Sequence, residues 1–201
     1  MLDSFAQRLI EPVLSRVARR LVVLKVTADQ LTLAGFAIGL LAAALIAQSA
    51  YGAGLVLLLL SRLCDGLDGA VARQTQPTDR GGFLDITLDF IFYAAVVLAF
   101  ALADPAANAL AAAALLVGFM GTGSSFLAFA VVAAKRQMSQ HRAGAKSFYF
   151  LGGLTEGTET LGFFVAMCLW PAQFALLAWV FAGLCAVTTA ARVVSGYKAF
   201  D

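Results

Sequence analysis

Four aspartates in the stretch SRLCDGLDGAVARQTQPTDRGGFLDITLDF, residues 61–90, carry the spacing of a cation site. Asp65 and Asp68 stand three residues apart, and Asp85 and Asp89 four apart. On helices each pair therefore projects from one face. Four carboxylates brought together repel one another and resist joint ionisation, whereas one or two divalent ions neutralise them. A set of oxygen ligands favours Mg²⁺ or Mn²⁺, and no thiolate or imidazole joins it to favour a softer metal. The number of carboxylates suits two ions and phosphate chemistry.

Smaller residues accompany the acids. Gly69 and Ala72 fall on the same helical face as Asp65 and Asp68 and leave room for a ligand. Arg73, one turn further, suits a phosphate or relieves the carboxylate charge. Arg62, three residues before Asp65, could instead pair with an aspartate. A purely structural set of ion pairs with Arg62, Arg73 and Arg80 is the bland alternative. A carboxylate at the centre of a membrane span costs about 2.5–3.5 kcal/mol on insertion scales, so such clusters are normally kept for function. A cation transporter is the rival of a different class, set against the concentration of the charges near one membrane face.

These residues sit in a chain whose solvent is largely lipid. Of its 201 residues 61% are hydrophobic and 13% charged, far from the balance of a soluble domain. The apolar residues divide into six stretches long enough to span a bilayer: 28–51, 53–75, 82–103, 106–134, 148–170 and 173–196. Little β-alternation is present, which argues against a barrel. Connections near Tyr51, Asp104 to Ala107 and Trp170 to Gln173 lack Lys and Arg. Basic residues crowd the N-terminal segment, the Arg73 to Arg80 connection, the segment from Lys135 to Lys146, and the end with Arg192 and Lys198. The positive-inside rule places those regions, the carboxylates and both termini in the cytoplasm. The expected fold is all-α, one membrane domain over 1–201, in which six transmembrane helices over 28–196 follow an amphipathic surface helix over 1–22.

In that surface helix Leu2, Phe5, Leu9, Val13, Val17 and Leu21 recur at steps of three and four, with most charges on other faces. Its basic residues suit anionic lipid better than packing on the protein body. Thr27 followed by Gln30 forms a capping-box pattern that fixes the start of the first span. Gly118, Gly121, Gly123, Ser124 and Ser125 let the fourth span approach a neighbour closely. Cys64, Cys168 and Cys185 have no metal-binding spacing and read as packing residues. The N-terminal segment lacks the pattern of a cleavable signal.

The aspartate segment resembles the signature of the CDP-alcohol phosphatidyltransferase family, DxxDGxxARx8GxxxDxxxD. Asp65, Asp68, Gly69, Ala72 and Arg73 match its first half, and Gly81, Asp85 and Asp89 its second. Seven residues rather than eight separate Arg73 from Gly81. The stretch from Thr27 to Thr32 is similar to the family's TPNxLT entrance, and the chain looks most like small bacterial inner-membrane members. The resemblance implies a homodimer that moves a phosphatidyl group from CDP-diacylglycerol to a small alcohol and releases CMP. Asp65, Asp68, Asp85 and Asp89 would bind Mg²⁺ or Mn²⁺, two ions in all, with Asp89 also the general base. Asp68, Gly69, Ala72, Arg73 and Gly81 would contact the CDP part. The partners are membrane lipid and these substrates, with no nucleic acid. A soluble CDP-alcohol donor with a lipid hydroxyl acceptor is the same-chemistry alternative.

The acceptor alcohol is less legible. Lys135, Arg136, Arg142, Lys146 and Arg192 could meet a phosphorylated acceptor, though each also serves as a topology signal; Arg192, within the last span, is the strongest of them. Glu156 and Glu159, with Thr155, Thr158 and Thr160, make a polar face in the fifth span that suits a polyol. His141 reads as a solvated loop residue.

Overall fold

The computed structural model describes residues 2–136 and 155–201, with side chains from Ile10 onward. Seven α-helices run through the described residues: α1 (Leu2–Val23), α2 (Ala28–Ala47), α3 (Tyr51–Gln74), α4 (Asp79–Ala103), α5 (Pro105–Lys135), α6 (Gly157–Leu169) and α7 (Phe174–Phe200). A 3₁₀ turn at Pro171–Gln173 leads into α7.

Local chemistry sets the boundaries. The Thr27 and Gln30 pattern forms a true capping box: the Gln30 N–H donates to Thr27 Oγ1 at 3.3 Å, and the Thr27 N–H donates to Gln30 Oε1 at 3.0 Å. Thr78 caps α4 through the Gly81 N–H, and Asp104 caps α5 through the Ala107 N–H. Pro105 then occupies the first turn of α5, where its missing N–H costs nothing.

The expected spans fall on these helices with edges shifted by a few residues. The last helix runs on to Phe200, and the fifth expected span is described only from Thr155, with its helix from Gly157, since 148–154 lie outside the described residues. Four helical stretches are long and apolar enough to cross a bilayer: Ala28–Ala47, Asp79–Ala103, Pro105–Lys135 and Pro171–Phe200. Among the described residues α3 has the length, but Arg62, Asp65, Asp68 and Arg73 interrupt its apolar sequence. Among the described residues every regular element is a helix, as in an integral membrane protein. Large apolar side chains such as Leu41, Val56, Leu110, Val117 and Leu176 face outward, as a lipid solvent permits.

The core is aromatic. Phe92, Phe100, Phe164, Phe174 and Phe181 are fully buried, and Phe100 stacks on Phe174 with centroids 4.7 Å apart. Cys168 and Cys185 are buried here as packing residues, and all three cysteines are free. Gly118 and Gly121 meet Cys185 and Thr189 of α7 so closely that an added Cβ would lie 2.9 Å from each side chain. That is the close helix approach the small residues of this span lead one to expect.

The short connection through Pro77, Gly81 and Gly82 folds α4 back so that its acidic side chains meet those of α3, while α2 packs along both and the backbones of α3 and α4 stay apart. The gap between them holds the acidic side chains. The N-terminal helix α1 lies against α3, with Ala18 buried against Ala70 and Val71 and with Leu14, Leu21 and Val22 around them. The adjoining face exposes Ile10, Val13 and Val17, while the side chains of Leu2, Phe5 and Leu9 lie outside the described residues.

Candidate metal centre and substrate cavity

Asp65 and Asp68 come from the C-terminal half of α3, and Asp85 and Asp89 from the first turns of α4. Helical spacing turns each pair into the gap between these helices. One carboxylate oxygen each from Asp65, Asp68 and Asp85 lies within 4.8 Å of the others, close enough to share a single cation. This donor set of three hard oxygens fits Mg²⁺ or Mn²⁺.

Asp68 is nearly buried and accepts a 2.6 Å hydrogen bond from Thr32 Oγ1 of α2. A buried carboxylate so oriented keeps its remaining lone pairs for an ion. Asp89 stands outside the group of three. Its Oδ1 accepts from Arg62 Nη1 at 2.7 Å, and the same nitrogen lies 3.4 Å from Asp65 Oδ1. The pairing foreseen for Arg62 is thus real. It falls on Asp89 more closely than on its helical neighbour Asp65.

The guanidinium is held on several sides. Nη2 donates to Ser61 Oγ at 3.3 Å, while Ser61 Oγ donates to the Gly35 carbonyl at 2.7 Å. The ring of Phe92 lies beneath, 4.2 Å from Arg62 Cζ to the centroid. Gly39 makes this stack possible, because a Cβ there would come within 2.5 Å of the Phe92 ring and 2.9 Å of Ser61 Oγ.

A cavity of about 610 Å³ opens beside the carboxylates. Asp68, Gly69, Ala72, Gly81 and Asp85 line it, together with the turn before α2 and the Thr75 to Arg80 connection. Its size is that of a small-ligand site. Arg73 is exposed and does not line the cavity; its Nη1 lies over Gly69, 3.3 Å from where a Cβ would stand. Across the mouth Arg80 pairs with Asp29 of the first turn of α2.

The residues considered for the acceptor separate. Arg142, Lys146 and His141 lie outside the described residues. Lys135 is exposed at the end of α5, and Arg136 donates to the Phe200 carbonyl and lies over the Phe200 ring, joining the ends of α5 and α7. Arg192 donates to the Thr122 carbonyl at 3.0 Å and lines a second cavity of about 170 Å³ with Thr155, Glu156 and Thr160. Glu156 and Glu159 form a reciprocal capping box at the start of α6, including a bond from the Glu156 N–H to Glu159 Oε2 at 3.2 Å. The polar face read in the sequence is therefore partly helix-capping chemistry.

Sequence spacing missed two contributors to the site. Thr32 and Ser61 carry no charge and lie outside the acidic pattern, yet they orient Asp68 and Arg62. Only the proximity of Thr32 to the capped entrance of α2 hinted at a role.

Comparison with known proteins gives the family and the fold. The family model described as CDP-alcohol phosphatidyltransferase matches residues 25–194. The chain is 56% identical over 197 residues to inner membrane protein YnjF of Escherichia coli (strain K12), covering 98% of this chain and 96% of that protein. It is 42% identical over 93 residues to an archaetidylinositol phosphate synthase of Methanothermobacter thermautotrophicus, covering 44% of each. The fold is similar to the crystal structure of Mycobacterium tuberculosis phosphatidylinositol phosphate synthase (PgsA1) with CDP-DAG bound, with a TM-score of 0.67 and 23% identity over 92% of this chain and 94% of that one. The same enzyme in complex with manganese and citrate gives a TM-score of 0.66 at 23% identity, over 92% and 88% of the two chains.

Proposed function

The chain belongs to the CDP-alcohol phosphatidyltransferase family and is an enzyme of that class, and from this premise we propose that it moves a phosphatidyl group from CDP-diacylglycerol to a small alcohol with release of CMP. One observation carries the reading: Asp68, Gly69, Ala72, Gly81 and Asp85 line a single cavity, and two of them, Asp68 and Asp85, belong to the carboxylate cluster. A nucleotide in that cavity brings its diphosphate to the acids while acyl chains remain in lipid.

Asp65, Asp68 and Asp85 would hold a divalent ion, Mg²⁺ or Mn²⁺, which would supply positive charge to neutralise a diphosphate. Thr32 fixes the Asp68 carboxylate for this task. The acceptor oxygen attacks the β-phosphorus, and the new P–O bond forms as the bond to the CMP oxygen breaks. The hydroxyl proton passes to Asp89 as general base. Asp89 is the fourth acidic residue beside the metal centre, paired with Arg62. Gly69, Ala72 and Gly81 keep the cavity wall low for the CDP moiety, and Arg73 reaches its phosphates from the rim.

The chain crosses a bacterial inner membrane six times in this reading, α3 and the segment ending in α6 supplying the crossings beyond the four apolar helices. Its basic segments place both termini and the site in the cytoplasm. The exposed Ile10, Val13 and Val17 of α1 suit a helix lying on the inner leaflet, and two chains form the working dimer.

The test is CMP release by the purified protein given CDP-diacylglycerol, Mg²⁺ or Mn²⁺ and a panel of small alcohols. Release with at least one alcohol is expected. Release only with a soluble CDP-alcohol and a lipid hydroxyl would reverse the donor and acceptor classes. Cation flux in liposomes without CMP release from any pair would overturn the reading.

A further inference from the structure

The placement of Arg62 bears on how many ions this site takes. A second cation beside the first would have to bridge Asp89 to a carboxylate of the other helix, and Arg62 already does so, at 2.7 Å from Asp89 and 3.4 Å from Asp65. Its side chain is 12% exposed. Phe92 supports it from below, Tyr93 lies 5.7 Å from Cζ to its centroid, and Ser61 accepts from Nη2; only Nε lacks a partner. Arginine keeps its charge at any working pH, so this cation does not leave by deprotonation.

The remaining room agrees. The cleft lined by Arg62, Asp65, Asp85 and Asp89 has a free volume of about 10 Å³, the threshold for one water molecule. Mg²⁺ and its like demand near-octahedral coordination and usually keep several waters. To admit such an ion the guanidinium would have to give up its charge-assisted bond to Asp89 and its aromatic support together. Arg62 is not among the residues of the family signature.

We infer that Arg62 is a built-in cation in the place of a second metal ion, so that the enzyme works with one divalent ion per chain and with Asp89 positioned by arginine. The inference rests on the reading of Asp65, Asp68 and Asp85 as the metal site. Arg62 is a positioning residue: it touches Asp89 rather than the substrate.

The test counts Mn²⁺ bound to the full-length protein in nanodiscs of zwitterionic lipid and records its electron paramagnetic resonance spectrum. One Mn²⁺ per chain with an isolated-ion spectrum is expected for the wild type. Arg62→Gln should bind two, with the spectrum of a spin-coupled pair, and Arg62→Lys should restore one. Two ions in the wild type, or a single ion in a folded Arg62→Gln protein, overturns the inference while leaving the metal site intact. No Mn²⁺ bound to the wild type overturns the metal-site reading as well. If Arg62→Gln does not fold, the wild-type count and the Arg62→Lys spectrum still decide, because a coupled pair in either contradicts a single-ion centre.

Discussion

Thr32 Oγ1 of α2 donates a 2.6 Å hydrogen bond to Asp68 Oδ2 of α3, and both residues are buried. A helix that contributes none of the clustered carboxylates therefore sets the direction of one on its neighbour. Such outer partners typically contribute about 10–100-fold to metal affinity.

Thr32→Val removes the donor while keeping the branched shape. Mn²⁺ affinity measured by calorimetry should fall about 10–100-fold, and Thr32→Ser should recover most of it. Unchanged affinity in the valine variant would deny the hydroxyl its role.

Asp89→Asn removes the proton acceptor but keeps the size of the side chain. Turnover should drop by about 10²–10⁴-fold, the usual contribution of a general base. Binding of CDP-diacylglycerol, followed separately, should persist. A variant that turns over normally would transfer the base assignment to another residue.

Gly39 is the point of closest approach beneath Arg62. A methyl group added by Gly39→Ala would stand 2.5 Å from the Phe92 ring, and overpacking of this kind costs about 1–3 kcal/mol. The thermal unfolding midpoint in detergent should fall. Gly52→Ala, where nothing lies within 4 Å, is the control and should leave the midpoint unchanged or raise it.

Glu159→Ala breaks half of the capping box that opens α6. The loss should be about 0.5–2 kcal/mol of stability, read as a lower unfolding midpoint, with little change in the KM for the acceptor. A large rise in that KM with an unaltered midpoint would instead return Glu159 to the acceptor pocket.

Much of the fold was legible because lipid imposes simple demands. Four of the apolar stretches of bilayer length, the Thr27 and Gln30 cap, and the small residues at Gly118 and Gly121 each act through local geometry, and each is found where its chemistry requires. The acidic pairs were legible for the same reason, since a spacing of three or four residues fixes a helical face. What spacing could not reveal was the partner of each carboxylate. Asp89 meets Arg62 and Asp68 meets Thr32 because α2 packs along both α3 and α4, a tertiary arrangement that neither periodicity nor charge encodes. Glu156 and Glu159 mislead in the opposite direction: acids in an apolar segment suggest a binding face, yet they also satisfy the open amides of a helix start.

The packing of α2 has a consequence for ion selection. Asp65 and Asp68 stand on α3 and Asp85 and Asp89 on α4, both helices packed along α2, and the small residues Gly35 and Gly39 allow the close approach of α2 to Ser61, Cys64 and Phe92. The interval between the two acidic pairs is thus gauged by a helix that supplies neither pair. Bulk on that helix acts as a shim: it alters the span between oxygens without altering their number or charge.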